Sequence, residues 1–116
     1  MSIQTGNTVT DGSDSRGWVV GHFIDPSLGL RQSKDVEIKW GIHTAGEVRD
    51  GWVTGETRTT MAVLISGKCE AIFRDRAITL SQPGDYVMWG PGTDHTWKSL
   101  EDSVVMTVRW PSVSTS

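Results

Sequence analysis

The sequence predicts an all-β domain, a small barrel or sandwich, and three observations carry that expectation. Apolar and polar residues alternate in several short runs. Gly, Pro and Asp punctuate those runs about every eight to twelve positions, and no stretch keeps a 3.6-residue period between capping residues for long enough to make a helix. At 116 residues the chain is the size of one domain with one packed core. Residues 1–15, rich in Ser, Thr, Asp and Gly, read as a flexible N-terminal arm, 16–112 as the folded domain and 113–116 as a tail.

In chain order, Trp18 to Ile24 (WVVGHFI) is a compact β-branched run that makes a first strand, ended by Asp25-Pro26-Ser27. Val36 to His43 alternates, with Val36, Ile38, Trp40 and Ile42 on one face and Glu37, Lys39, Gly41 and His43 on the other. A glycine-rich loop from Thr44 to Gly55 follows, then a long strand from Arg58 to Ser66, a turn at Gly67-Lys68, and a partner from Cys69 to Phe73. Arg74-Asp75-Arg76 turns the chain into Ala77 to Leu80, and Pro83-Gly84-Asp85 leads to Tyr86 to Trp89. After Gly90-Pro91-Gly92 a further strand begins at His95, with His95, Trp97 and Ser99 on one face and Thr96 and Lys98 on the other. The last strand, Ser103 to Trp110, sets Val104, Met106, Val108 and Trp110 against Ser103, Val105, Thr107 and Arg109, and Pro111 ends it.

The stretch from Gly84 to Ser99 resembles the second sequence motif of the cupin superfamily. That motif is a Gly, five residues, Pro-x-Gly, two residues and a metal-binding His, with an Asn four positions later. Gly84 starts it here, Gly92 fills the second glycine slot and His95 the ligand slot, while Gly90 replaces the proline and Ser99 the asparagine. The resemblance implies a cupin-type β-barrel, the double-stranded β-helix or jelly roll, with His95 delivered to its interior. The first motif of the same family is degenerate: Gly67 fits its last glycine, but Thr60, Glu56 and Thr54 stand in its glutamate and two histidine slots.

A rebuilt metal set of His43, Glu47 or Glu56, and His95 is the resulting expectation, and two imidazoles with a carboxylate suit Zn²⁺, Fe²⁺ or Mn²⁺. A metal-free barrel stands beside it, because a His at a strand end is ordinarily a hydrogen-bonded structural residue. His22, among apolar neighbours, reads as a packed or edge histidine. Six tryptophans are too many for so small a core, so some line a cavity or an interface. Trp40, Trp89 and Trp110 are expected in the core, and Trp97 and Trp52 at a ligand. Val63, Ile65, Val87, Val104 and Val108 are expected to supply the aliphatic packing. Arg58 continues the face of Glu56 and is a ligand-binding candidate with His95, Trp97, His43 and Trp52, although for Lys39 and Arg58 alike the solvated face is the simpler assignment. Glu37 is expected in solvent.

Net charge is −3 with no Lys/Arg block, so nothing drives non-specific binding to nucleic acid or an anionic membrane. One cysteine, Cys69, allows no internal disulfide and reads as a small packed residue. No apolar run reaches membrane-spanning length, and the N-terminus lacks a basic start and an apolar h-region, so a cytoplasmic location is expected. Phosphate loops, nucleophile elbows and Cys-x-x-Cys or His-Glu-x-x-His motifs are absent. The reading is therefore a barrel that binds a small polar molecule at its open end. It is either a divalent-metal-dependent enzyme or a metal-free binding or sensor module, and the family resemblance implies a homodimer.

Overall fold

The computed structural model describes residues 2–114; Met1 of the expected arm and Thr115 and Ser116 of the expected tail lie outside the described residues. Among the described residues eight strands form: β1 (Trp18–Val20), β2 (Glu37–His43), β3 (Thr59–Ser66), β4 (Cys69–Phe73), β5 (Ala77–Leu80), β6 (Tyr86–Trp89), β7 (His95–Ser99) and β8 (Ser103–Trp110). They make a five-stranded sheet, β1-β2-β8-β3-β6, and a three-stranded sheet, β5-β4-β7, with every strand pair antiparallel. These are the strands that the alternation and turns predict, except that the first, expected to run from Trp18 to Ile24, stops at Val20, where the chain turns and Ile24 N–H donates to Gly21 O. Among the described residues no helix is long and apolar enough to cross a membrane.

Local chemistry explains the connections. Gly67, at φ 90°, closes the β3–β4 hairpin; a Cβ there would lie 2.2 Å from the Asp102 carbonyl oxygen, so only glycine fits. The N-terminal segment expected as a flexible arm carries a one-turn helix, α1 (Thr8–Asp11), whose Val9 and Thr10 N–H groups donate to the Asn7 side chain. Gln4 ties this segment to a 3₁₀ turn over Pro26–Arg31, donating to Leu28 O and accepting from Leu30 N. β1 covers the edge of β2 within the same chain.

The glycine-rich loop does not stand free at the barrel mouth. It runs along the open edge of β7: Arg49 N–H donates to Trp97 O, Val53 and His95 exchange both backbone bonds, and Ser99 N–H donates to Glu47 O. The loop thereby satisfies donors and acceptors that an edge strand would leave bare.

Two clusters bracket the lumen along β3 and β8. One is apolar: Leu64, Cys69 and Leu80 are buried, with Ile78, Val87 and Val105 packed on them. The other is ionic. Arg58 grips Glu56 bidentately, with Nε and Nη2 each 2.6 Å from a carboxylate oxygen, and its Nη1 donates to Glu37. Arg109 Nη2 reaches Glu37 at 2.5 Å and Ser112 Oγ donates to Glu37 at 2.8 Å. Two carboxylates and two guanidiniums thus neutralise one another where water is excluded.

Several expectations are corrected here. Glu37 is not solvated; it is fully buried because Arg58, Arg109 and Ser112 saturate its oxygens. Arg58 is buried for the same reason. The apolar faces of β2, β3 and β8 point away from the lumen, since their alternate residues Lys39, Thr60 and Thr107 line it. Trp40, Trp110, Val63, Val104 and Val108 therefore sit on the outer surface of the five-stranded sheet, and Trp110 is 37% exposed. Val87 does pack against the core.

Candidate functional site

Antiparallel register fixes what enters the lumen. β2 supplies Lys39 and His43, β3 Thr60 and Ala62, β6 Trp89, and β8 Thr107 and Arg109, opposite His95 and Trp97 of β7. Residues before β1 and in the loop along β7 add Arg16, Trp18 and Arg49. Together they enclose a cavity of about 360 Å³, within the range of small-molecule sites.

The two lumen histidines share one arrangement. His95 Nδ1 lies 3.0 Å from Thr93 O, so this nitrogen carries the proton and Nε2 keeps its lone pair. Burial holds the His95 ring below the usual imidazole range, against the raising effect of that hydrogen bond. His43 Nδ1 lies 2.6 Å from Glu47 Oε2, so this nitrogen carries a proton and Nε2 faces away from the carboxylate. Gly41, two residues before it on the same face, makes room for the ring: a Cβ there would lie 2.7 Å from His43 Nε2. The rings pack on aromatic neighbours, His43 at 4.4 Å from Trp97 and His95 at 4.6 Å from Trp89, and Phe73 backs Trp89 at 5.5 Å.

Cations are concentrated in the same space. Arg109 stacks its guanidinium 4.2 Å over Trp18, and the Lys39 ammonium lies 5.8 Å from that ring. Burial lowers Lys39 from the ordinary ammonium range, and Arg109, Arg49 and Arg16 push it the same way. Arg109 is lowered by burial against the pull of Glu37.

Of the residues predicted for the site, the fold brings His43, His95 and Trp97 to one cavity. It takes Trp52 elsewhere: the indole lies outside the lumen wall, under the Arg74 guanidinium at 3.9 Å. Arg58 is spent on Glu37 and Glu56 and does not line the cavity. The expected metal set is not assembled. Glu56 is held by Arg58, whose hydrogen bonds bring its carboxyl down to about 2, and Glu47 accepts from His43. Among the described residues no three His, Cys, Asp or Glu side chains come together to hold a metal ion. These residues therefore do not fit a metal held by the protein alone. His22 is packed, against Phe23 and Ser112, and buried Cys69 has its thiol raised by burial.

Sequence reasoning missed Arg16, Trp18, Lys39, Arg49, Trp89 and Arg109 as cavity residues. Only Arg109 and Lys39 carried a usable signal, because each shares a strand face with a residue that lines the lumen, Thr107 and His43. Arg16 and Arg49 lie outside regular strands, and no periodicity marks them.

No family model matches the sequence, and no curated protein matches it. Solved structures do. KdgF from Halomonas sp. is 23% identical with TM-score 0.62, over 71% of this chain and 75% of that one. A cupin superfamily protein from Desulfitobacterium hafniense is 21% identical with TM-score 0.62, over 70% and 72%. A cupin-2 domain protein from Shewanella frigidimarina is 19% identical with TM-score 0.56, over 66% and 72%. With eight antiparallel strands among the described residues and this structural likeness to cupin proteins, the chain has the cupin fold, a small all-β jelly-roll barrel.

Proposed function

We propose that this barrel is a metal-free small-molecule-binding module whose ligand sits in the lumen between His43, His95 and Trp97, and that it works as a homodimer. One observation carries the binding reading: the polar and aromatic residues of the large sheet face a cavity of about 360 Å³, where ordinary packing would place aliphatic ones. Trp18, Trp89 and Trp97 offer ring faces, and His43 Nε2, His95 Nε2 and the Thr107 hydroxyl offer hydrogen bonds.

The dimer rests on the opposite face. Ile38, Trp40, Ile42, Met61, Val63, Tyr86, Met88, Val104, Met106, Val108 and Trp110 form it, and none is charged. Ile42 is 61% exposed and Tyr86 58%. A pleated apolar face of this breadth matches a second copy of itself, packed sheet on sheet across a twofold axis.

Metal content by mass spectrometry and a thermal-shift screen of small polar compounds, with and without chelator, test the binding reading. The expected result is substoichiometric metal and a stabilising compound whose effect survives chelation and is lost in His95→Ala. One bound metal ion per chain, with binding abolished by chelator, would overturn it in favour of a metal-dependent enzyme.

A further inference from the structure

Resting on the lumen as the binding site, we infer that its ligand is a small oxyanion, an organic carboxylate or a phosphate, held by Lys39 and Arg109 within and by Arg16 and Arg49 at the rim.

The charge inventory points there first. Each carboxylate near the cavity already has a partner: Glu70 lies 3.5 Å from Lys98, Glu47 accepts from His43, and Glu37 and Glu56 share Arg58 and Arg109. Arg16, Lys39 and Arg49 are left over, and none of them is in an ion pair among the described residues. The chain as a whole is acidic, at −3, so cations gathered at one cavity are not a by-product of a basic composition. Placing like charges together with Lys39 half-buried is unfavourable unless an anion completes the set.

The hydrogen-bonding inventory is independent and agrees. Four buried polar atoms have no partner among the described residues: Thr60 Oγ1, Trp89 Nε1, Thr96 Oγ1 and Arg109 Nε. All four residues border this cavity; Thr60, Trp89 and Arg109 stand on the lumen faces of their strands, while Thr96 shares the opposite face of β7 with Lys98. The indole and guanidinium N–H groups can only donate, the hydroxyls can donate, and none is an obligate acceptor. What these atoms lack is acceptor oxygen, while His95 Nε2 in the same cavity is an acceptor that a hydroxyl group of the ligand would satisfy.

Backbone conformation adds a third observation. Arg16, at φ 54°, is the one non-glycine residue with positive φ among those described. Its neighbour Gly17 presses on β2 so closely that a Cβ would lie 2.5 Å from Trp40 O. The segment thus crosses β2 in a left-handed conformation that disfavours side chains, yet carries an arginine to the cavity rim.

Calorimetric titration of the full chain with sodium gluconate, inorganic phosphate and sorbitol, at one ionic strength, tests this. Gluconate and sorbitol have similar polyol chains, and only the former carries a carboxylate. The inference predicts that at least one oxyanion binds and that sorbitol binds at least tenfold more weakly. Lys39→Met and Arg49→Gln should each weaken the oxyanion at least tenfold while the free protein melts no lower than the parent, since each removes an unpaired cation. Phosphate binding without gluconate would identify phosphate as the ligand class. Sorbitol binding as tightly as the oxyanions would overturn the inference and leave the lumen as the site. Oxyanion binding indifferent to both substitutions would overturn it by placing the anion elsewhere. Binding of none of the three would overturn it as well, and a neutral hit in the thermal-shift screen would then show that the binding reading survives alone.

Discussion

The two faces of the five-stranded sheet differ in a way that inverts ordinary soluble architecture. Toward the lumen, β2, β3, β6 and β8 present Glu37, Lys39 and His43, Thr60, Trp89, and Thr107 and Arg109. Toward the outside the same strands present Ile38 and Trp40, Met61 and Val63, Tyr86 and Met88, and Met106 and Val108. Stability on the inner side comes from a small apolar plug around Leu64 and from a saturated ion network around Glu37. On the outer side Ile42, Tyr86, Met88 and Trp110 stay exposed, and their remaining surface contributes only when something covers it. A barrel can thus keep a wet, chemically rich interior if its hydrophobic surface is assigned to a partner.

The sharpest way to break the inner side is at its ionic end. Arg58→Ala would leave Glu37 and Glu56 buried without their common partner, and urea denaturation should show a loss of about 3–5 kcal/mol. Preserved stability would mean that water reaches those carboxylates. Acid probes the same network. The Glu56 carboxyl falls from 4.5 to about 2 in the folded protein, chiefly through its hydrogen bonds from Arg58. Because the folded pKa is the lower one, the stabilisation is complete above about pH 4.5 and is lost as pH falls from there toward 2. Its full size is roughly 3 kcal/mol. Denaturation midpoints measured across that range should decline, and Glu56→Gln should flatten the decline.

The outer side is tested by charge. Met106→Lys together with Tyr86→Lys should weaken dimerisation at least a hundredfold, or about 2.7 kcal/mol, in light-scattering dilution series, while oxyanion binding in the lumen persists. A parent chain that scatters as a 12.7 kDa monomer at tens of micromolar would remove the interface. The smallest effect is expected at Trp52. Its exposed stack on Arg74 is worth about 0.5–1 kcal/mol, and Trp52→Ala should lose no more than that while leaving ligand affinity unchanged. Trp97→Ala should do the reverse.

Strand positions and turns were legible because glycine, proline and period-two alternation act locally: Gly67 marks one hairpin and Pro83-Gly84-Asp85 the entry to β6. Alternation also sorted residues correctly into faces, placing Lys39 with His43 and Trp40 with Ile42. It could not say which face was inside. The usual rule sends apolar residues inward, and here that rule misplaces Trp40, Trp110, Val63, Val104 and Val108 together. Glu37 and Arg58 were illegible for a related reason, since a buried ion pair between residues on different strands has no local signature. Of the cavity-lining histidines, the glycine turn before His95 pointed to one, and strand parity with the loop junction pointed to His43. Arg16 and Arg49 reach the rim from irregular segments whose course only tertiary hydrogen bonds such as Arg49 N–H to Trp97 O determine.

Six tryptophans, distributed over both faces and the loop, allow the central claim to be tested in one experiment. Their indole N–H resonances can be followed in ¹H–¹⁵N spectra while the full chain is titrated with gluconate or phosphate. If the inner face is the ligand site and the outer face the partner site, the signals of Trp18, Trp89 and Trp97 shift with the oxyanion, and those of Trp40, Trp52 and Trp110 stay in place. Shifts confined to Trp40 and Trp110, with Trp89 and Trp97 unmoved, would contradict the account.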